Sequence, residues 1–407
     1  MEEKEYKKGT FPLLWLAFFF HGMAPGFWVP SLTNVLKAEG LQGWQALAFA
    51  MAPIASLISP LVGGALADER MSAQKLMGWS SLLGAVTIVF AFLALDLGWS
   101  PVWFLFGLAM YSLVSGPTWG LMATISLSHL THGERHYPMV RVGATFGWMA
   151  AGFLISYVLN ADTSVNCGYA AGAARIAAGI LAFYLPNTPP LGLGKSWKSA
   201  IGLDSFKLFK NRNHAVLFGV TGLFSVPLIA FYMYSAEMFK ELGNKVPTAS
   251  VSVAQFSEVF AMFLLGAMML KYKLKTLMMW GLGLSILRYA MSGYSGLSGV
   301  ISWHFAGVAL HGVCYTIYFV SAQVYLDKRV DPAMRGQAQG LFGLMSSGIG
   351  PLFGAYFCAW LRSACVDDQG NGWEIFWWVL AGIIAICWGV FGLLYKGHVK
   401  GVAPRDF

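Results

Sequence analysis

The sequence predicts an all-α membrane protein: twelve transmembrane helices arranged as two six-helix halves. Three observations predict it. Of 407 residues, 57% are hydrophobic and only 11% charged, less than half the charge of an ordinary soluble domain. Apolar runs of spanning length recur along the whole chain. Lysine and arginine crowd into every second loop between those runs.

A helix that crosses the hydrocarbon core needs about 20 apolar residues. Twelve runs approach or exceed that length, near 11–36, 43–66, 74–95, 102–128, 140–159, 168–186, 214–236, 251–270, 276–293, 298–325, 337–361 and 373–395. No backbone group can go unpaired in lipid, so each run is expected to be helical. Glycine-rich stretches such as LVGGALA at 61–67 and AAGAARIAAG at 170–179 allow helices to approach closely. The first run is too long for a cleaved signal peptide and has no small-residue cleavage site.

Placing the N-terminus inside puts 21 of the 27 Lys and Arg residues on the cytoplasmic side. Four lie outside (Lys37, Lys240, Lys245 and Arg362), and Arg175 and Arg288 remain within helices. That asymmetry satisfies the positive-inside rule. The net charge of +8 therefore belongs to cytoplasmic loops and calls for no nucleic-acid partner. Cys314, Cys358 and Cys387 sit in apolar runs and are expected to pack there. Cys167 and Cys365 fall near the outer face, where a disulfide is chemically possible. No Cys/His cluster suggests a metal, and no motif suggests a cofactor. The absence of GxxxxGK[ST], HExxH and GxSxG argues against an ATP-driven pump and against a membrane-embedded enzyme.

The expected halves are residues 1–186 and 214–407, joined by a basic cytoplasmic linker at 187–213. The linker opens with PNTPPLGLG and continues with the amphipathic LDSFKLFKNRN. GALADERMSAQKLM at 64–77 follows the second run, and GAMMLKYKLKTLMM at 266–279 follows the eighth, 202 residues later. PMVR at 138–141 and PAMR at 332–335 precede the fifth and eleventh runs. A duplicated six-plus-six plan around a central path is that of a major facilitator transporter. GALADERMSAQK also resembles the cytoplasmic loop signature of that superfamily, which implies that Asp68 and Arg70 form a gate motif. A helix-capping aspartate in a basic turn accounts for the same residues.

One acid lies deep in a run: Glu258, within VAQFSEVF at 253–260. Desolvation disfavours a charged carboxylate, so such a group can take and release a proton near neutral pH. An ionisable residue inside the bilayer is a functional candidate by default, although a glutamate bonded between helices would also hold the bundle. Gln255, three residues earlier, shares its helical face. Arg141, Thr145 and Trp148 follow i, i+4, i+7 spacing, so one face offers a cation, a hydroxyl and an indole. Arg141 also reads as one more cytoplasmic loop charge. Arg288, in GLSILRYAM, needs a partner or water, and a pairing of Glu258 with Arg288 or with Arg141 is expected. Arg175, in AARIAAG, can snorkel towards a headgroup and stays outside the expected site. In HFAGVALHGVCYTIYF, residues His304, His311, Tyr315 and Tyr318 recur at 0, +7, +11 and +14, one face centred on His311. Histidine titrates in the useful range, and the aromatic rings offer stacking surfaces for a flat solute.

Several longer stretches carry a closer resemblance. GPTWGLMATIS at 116–126, RVGATFGWMAAGF at 141–153, IGLDSFKLFKNRNHAVLF at 201–218, QFSEVF at 255–260, LMMWGLGLSILRYAMSGY at 277–294, VDPAMRGQAQGLFGLMSSGIG at 330–350 and GWEIFWWVLAG at 372–382 resemble the bacterial nucleoside:proton symporters. That family is close to the sugar:proton symporters. The resemblance runs in order over nearly the whole chain. It implies proton-coupled import of nucleosides by alternating access. It further implies a monomer in the lipid bilayer of an inner membrane, with both termini cytoplasmic. Arg141, Thr145, Gln255 and Glu258 match the family's polar cavity residues, and Trp148 and Tyr315 stand at aromatic positions. The resemblance makes Glu258 a candidate for proton coupling, and Arg288 and His311 are further candidates. The chain departs from the family at Ile229 and Tyr232, where a glutamine and an asparagine are usual. It departs again at His311, for a tyrosine, and at Thr316, for an aspartate. These changes remove hydrogen-bonding groups and an acid. They leave His311 to stand in as proton partner, and they keep open a second substrate class: a sugar or another small polar ring-bearing solute.

Overall fold

The computed structural model describes residues 9–59, 66–67, 70–130, 133–190, 203–331, 334–367 and 369–396. Among these every regular element is helical. The chain divides into two compact units, residues 1–201 and 202–407.

In the first unit, α1 (Thr10–Trp28) ends just short of Pro30, and α2 (Leu32–Ala38) resumes the path. α3 (Gln45–Ser56) and α4 (Ala73–Asp96) come next. Gly98, at φ 64°, closes α4 in the left-handed conformation that glycine adopts at no steric cost. Pro101 then opens α5 (Pro101–Ser115), where its missing N–H is harmless. α6 (Thr118–His129) begins beyond Gly116–Pro117. Pro117 cannot donate to the carbonyl four residues back; the Ser59 hydroxyl donates to that Leu113 oxygen instead, at 2.6 Å. α7 (Gly133–Phe153) continues as a π-helical turn, Leu154–Leu159, and α8 (Asn166–Tyr184) completes the unit. α1 and α7 cross at glycines: a Cβ on Gly143 or Gly147 would strike the backbone of Trp15 or Phe19, and one on Gly22 would strike Ala144. Leu14, Phe18, Met77, Met122 and Ile125 fill the core beside that crossing.

In the second unit, α9 (Arg212–Glu241) is capped by the Asn211 side chain, which accepts from the Asn213 and His214 amides, as N-cap residues do. α10 (Pro247–Val251) and α11 (Val253–Lys271) come next, then α12 (Leu274–Ser298) and α13 (Ile301–Tyr315). A π-helical turn at Thr316–Val320 leads into α14 (Ser321–Arg329). α15 (Arg335–Gly343), a π turn at Leu344–Ile349, α16 (Gly350–Cys365) and α17 (Trp373–Leu394) complete the unit. Lys275 donates to the carbonyls of Gly392 at 3.0 Å and Tyr395 at 2.6 Å. A cation there also suits the negative end of the α17 dipole. At the opposite end of the bundle, Arg362 bonds Glu237 at 2.8 Å and lies 3.6 Å from Glu241. The Trp373 indole donates to Glu241 at 2.6 Å.

Nine helical segments among the described residues are long and apolar enough to cross a membrane, so the chain is a multi-pass membrane protein. Three of the twelve expected runs are not among them. The second is described only as the 12 residues of α3. The fourth divides at Gly116–Pro117. The ninth, α12, has 25 residues but is diluted by serines, glycines, Lys275 and Arg288. All five cysteines are free thiols, so Cys167 and Cys365 form no disulfide. Asp68 lies outside the described residues, and Arg70 is exposed.

Candidate functional site

The polar residues expected in the second unit converge on four helices. Gln255 and Glu258 lie on one face of α11, Arg288 on α12, His311 and Tyr315 on α13, and Phe231 and Tyr232 on α9. α11 and α13 touch at Gly312, where a Cβ would overlap the Ala254 carbonyl and the Glu258 amide and come within 2.6 Å of the Glu258 Cα. Only glycine permits that approach, which sets Glu258 one residue from His311 across the crossing. Glu258 is half-buried and Gln255 is buried. The Gln255 Oε1 has no hydrogen-bond partner among the described residues. A buried acceptor left unpaired costs about 1–3 kcal/mol, which a hydroxyl or amine donor from a ligand would offset.

Arg288 is 3% exposed, and the neighbours of its guanidinium decide its role. Nη1 donates to His311 Nδ1. Nη2 donates to the Tyr289 hydroxyl at 2.6 Å, and that hydroxyl donates onward to the Pro227 carbonyl at 2.6 Å. The guanidinium carbon also lies 4.3 Å from the Tyr289 ring centre and 5.3 Å from that of Phe231, within cation–π range. The two terminal nitrogens thus meet an imidazole and a phenol. The His311 ring stacks on Phe231 with centres 3.7 Å apart and planes 8° from parallel. Tyr315 stacks on its own helix at 6.0 Å from His311. Because Nδ1 accepts from a guanidinium, the imidazole proton sits on Nε2. Tyr232 meets His311 edge-on at 5.8 Å, and its hydroxyl lies within electrostatic reach of Tyr315, Glu258 and Arg288.

Two expectations need correcting. Tyr318 does not share the His311 face: it is fully buried, bonds Thr221 at 2.9 Å and packs edge-on against Phe224. The π turn after Tyr315 inserts an extra residue and rotates the remainder of the helix. Arg175 does not snorkel. It is 3% exposed and donates to His21 Nδ1 at 3.2 Å and to the Tyr111 hydroxyl at 3.1 and 3.4 Å. His21 in turn meets Thr118 at 3.3 Å. This cluster ties α1, α5, α6 and α8 together. A histidine and a tyrosine at large separations in sequence gave no local signal of it. Glu237, near the end of α9 as expected, is buried against Arg362. Of the departures, Ile229 packs against Gly354 of α16, and Thr316 is buried with no partner for its hydroxyl among the described residues.

In the first unit, Arg141, Thr145 and Trp148 do share one face of α7. Arg141 is exposed, and Thr145 and Trp148 are half-buried. Gly143 and Gly147 carry α7 into the crossing with α1, and the backbone of Trp148 lies at the same crossing, against Gly26. Among the described residues no cluster of His, Cys, Asp and Glu has the geometry of a metal site.

A family model described as nucleoside H+ symporter matches residues 10–400. The putative nucleoside transporter YegT of Escherichia coli is 30% identical over 392 residues, 91% of this chain and 90% of that protein. The nucleoside permease NupG of Escherichia coli is 26% identical over 85% of this chain and 86% of its own length. The crystal structure of nucleoside transporter NupG superposes with a TM-score of 0.83 at 22% identity, covering 95% of this chain and 99% of that one. With a match over nearly its whole length, the chain belongs to the nucleoside H+ symporter family.

Proposed function

We infer that this chain imports nucleosides in symport with protons. The observation that carries the reading is the polar face of α11. A buried, unpartnered Gln255 oxygen lies one turn from Glu258, beside the aromatic rings of Tyr232, His311 and Tyr315, in a chain of this family. Ribose offers the hydroxyl donors such a face needs, and a base offers the flat ring that aromatic side chains stack on. In this reading Gln255 and Glu258 bond the ribose and Tyr315 stacks on the base, while Arg141, Thr145 and Trp148 are the first unit's candidates for substrate contact. Proton coupling falls to Glu258, with Arg288 and His311 controlling its charge. Partial desolvation disfavours the charged form of Glu258, so gaining or losing a proton changes what its surroundings must accommodate and links protonation to conformation. Twelve spanning helices, a linker at 187–213, an inner-membrane location, cytoplasmic termini, a monomeric state and a gate at Asp68 and Arg70 belong to the same proposal.

The test is uptake of labelled uridine and adenosine into proteoliposomes, with and without an inward proton gradient. Gradient-stimulated uptake, blocked by either nucleoside and not by disaccharides, is the expected result. Uptake blocked by disaccharides instead would transfer the site to a sugar. Ligand binding without flux would make the protein a sensor.

A further inference from the structure

Arg288 has a third nitrogen, which takes no part in the hydrogen bonds described so far. Nε is buried and has no hydrogen-bond partner among the described residues. Arg288 also lines a small cavity, together with Ser292, Ser235, Val308, Phe231 and Trp377, among others. The cavity is of single-water size. Ser292 is one helical turn beyond Arg288 on α12, on the same face. α13 approaches that face closely at Gly307, where a Cβ would lie 2.6 Å from the Arg288 carbonyl and 2.8 Å from the Ser292 hydroxyl.

Hydrogen-bond directions beyond the cavity are set. His304 is fully buried. Its Nε2 is 3.2 Å from the Ser235 carbonyl, which can only accept, so Nε2 carries the proton. Its Nδ1, 3.0 Å from Ser292 Oγ, must then accept the hydroxyl proton. Ser292 Oγ keeps its lone pairs for another donor. On one side of the cavity is an N–H seeking an acceptor, and on the other an oxygen able to accept. One water satisfies both.

We propose that this cavity is a water site, and that Ser292 and His304, through that water, are positioning residues for Arg288. Water held between Arg288 Nε and Ser292 Oγ fixes the guanidinium plane. In that plane Nη1 donates to His311, and while it does, His311 Nδ1 has no lone pair for a proton. Groups within reach of this arrangement are Tyr232 on α9, Glu258 on α11, Tyr289 on α12, and His304, Cys314 and Tyr315 on α13. The inference rests on the proton-coupled reading of Arg288 and His311 for its consequence, and on geometry alone for the water.

Two substitutions and one direct observation test it. Ser292→Ala removes the acceptor for the water. Val308→Ile fills the cavity and leaves every polar side chain in place. Both should move the midpoint of gradient-driven uridine uptake to higher pH, by about fivefold in proton concentration, the scale of one hydrogen bond. The KM for uridine counterflow should stay unchanged. An experimental structure at water-resolving resolution should show density within hydrogen-bond distance of Arg288 Nε and Ser292 Oγ. Lowered thermal stability with an unmoved pH profile would make the network structural and overturn the positioning role. Absence of density would overturn the water. A shift in wild type on exchanging chloride for gluconate, lost in both variants, would assign the site to an anion and overturn it too. If wild-type protein shows no gradient-driven uptake, the symport reading itself fails, and the density alone decides the water site.

Discussion

At the scale of single residues, polar groups here are placed by what they cannot leave unpaired. Arg175 and Arg288 each bury a full charge and each spread it over a histidine and a tyrosine. Removing either cation would leave a buried histidine Nδ1, that of His21 or of His311, without its donor, at about 1–3 kcal/mol for an unpaired group. Glu258→Gln keeps the shape and hydrogen-bonding capacity of the side chain and removes its proton chemistry. The expected outcome is loss of gradient-driven accumulation with nucleoside exchange retained; full pH-dependent accumulation in the mutant would end the coupling role. Trp148→Ala should weaken ligand binding by about 1–3 kcal/mol if the indole stacks on a base, read by titrating purified protein with uridine. Asp367 makes a prediction outside the membrane. Its carboxylate accepts from the Asn371 side chain and from the Gln369 and Asn371 amides, which hold its pKa below the usual carboxylate range. A depressed folded value means the loop at 367–371 is stabilised above the ordinary carboxylate pKa and loses that support as pH falls through the depressed one. Amide exchange at Gln369 and Asn371, taken relative to the intrinsic rate at each pH, should be protected at neutral pH and lose that protection only in strong acid. In Asp367→Asn the protection should no longer depend on the titration of this side chain.

At the scale of elements, glycines decide which helices touch. Gly312 lets α13 lie against the backbone of α11 at Glu258, and Gly143 and Gly147 let α7 lie against α1. These contacts are backbone to backbone, so no rotamer change can relieve an added methyl. Gly312→Ala should displace the α11–α13 crossing and carry Glu258 away from His311. Overpacking of this kind costs about 1–3 kcal/mol. We expect a lower melting temperature in detergent together with weaker uridine binding; an unchanged KM would show that Glu258 is positioned from elsewhere. Three π turns, at Leu154–Leu159, Thr316–Val320 and Leu344–Ile349, perform a related task. The second and third each shift the phase of a long helix partway along its length, and the first closes α7 at Asn160. The turn after Tyr315 is why Tyr318 packs into the interior of its unit while His311 and Tyr315 remain together.

At the scale of the whole molecule, charge sets orientation and composition sets solvent. In the proposed topology, with the N-terminus inside, the end of α16 faces out. Cys365 is partly exposed there, whereas the other four cysteines are buried. A membrane-impermeant maleimide added to intact cells should label Cys365, and Cys365→Ser should abolish the labelling. Protection in intact cells, with labelling only after permeabilisation, would invert the assigned topology.

The sequence by itself determined the solvent and the helical class, and it singled out most of the polar residues under discussion. Apolar length, Lys and Arg placement and i, i+4 spacing are local properties, and a membrane magnifies each of them because lipid offers no hydrogen bonds. Glu258, Gln255 and Arg288 stood out for that reason. Only the tertiary structure decided who meets whom. Arg288 finds His311 and Tyr289, Arg175 is buried between His21 and Tyr111, and Arg362 closes on Glu237. Each of these pairings joins different helices except that of Arg288 with Tyr289. Which donors and acceptors end up facing each other depends on glycine crossings and π turns, and these accumulate along a helix in a way no short motif records.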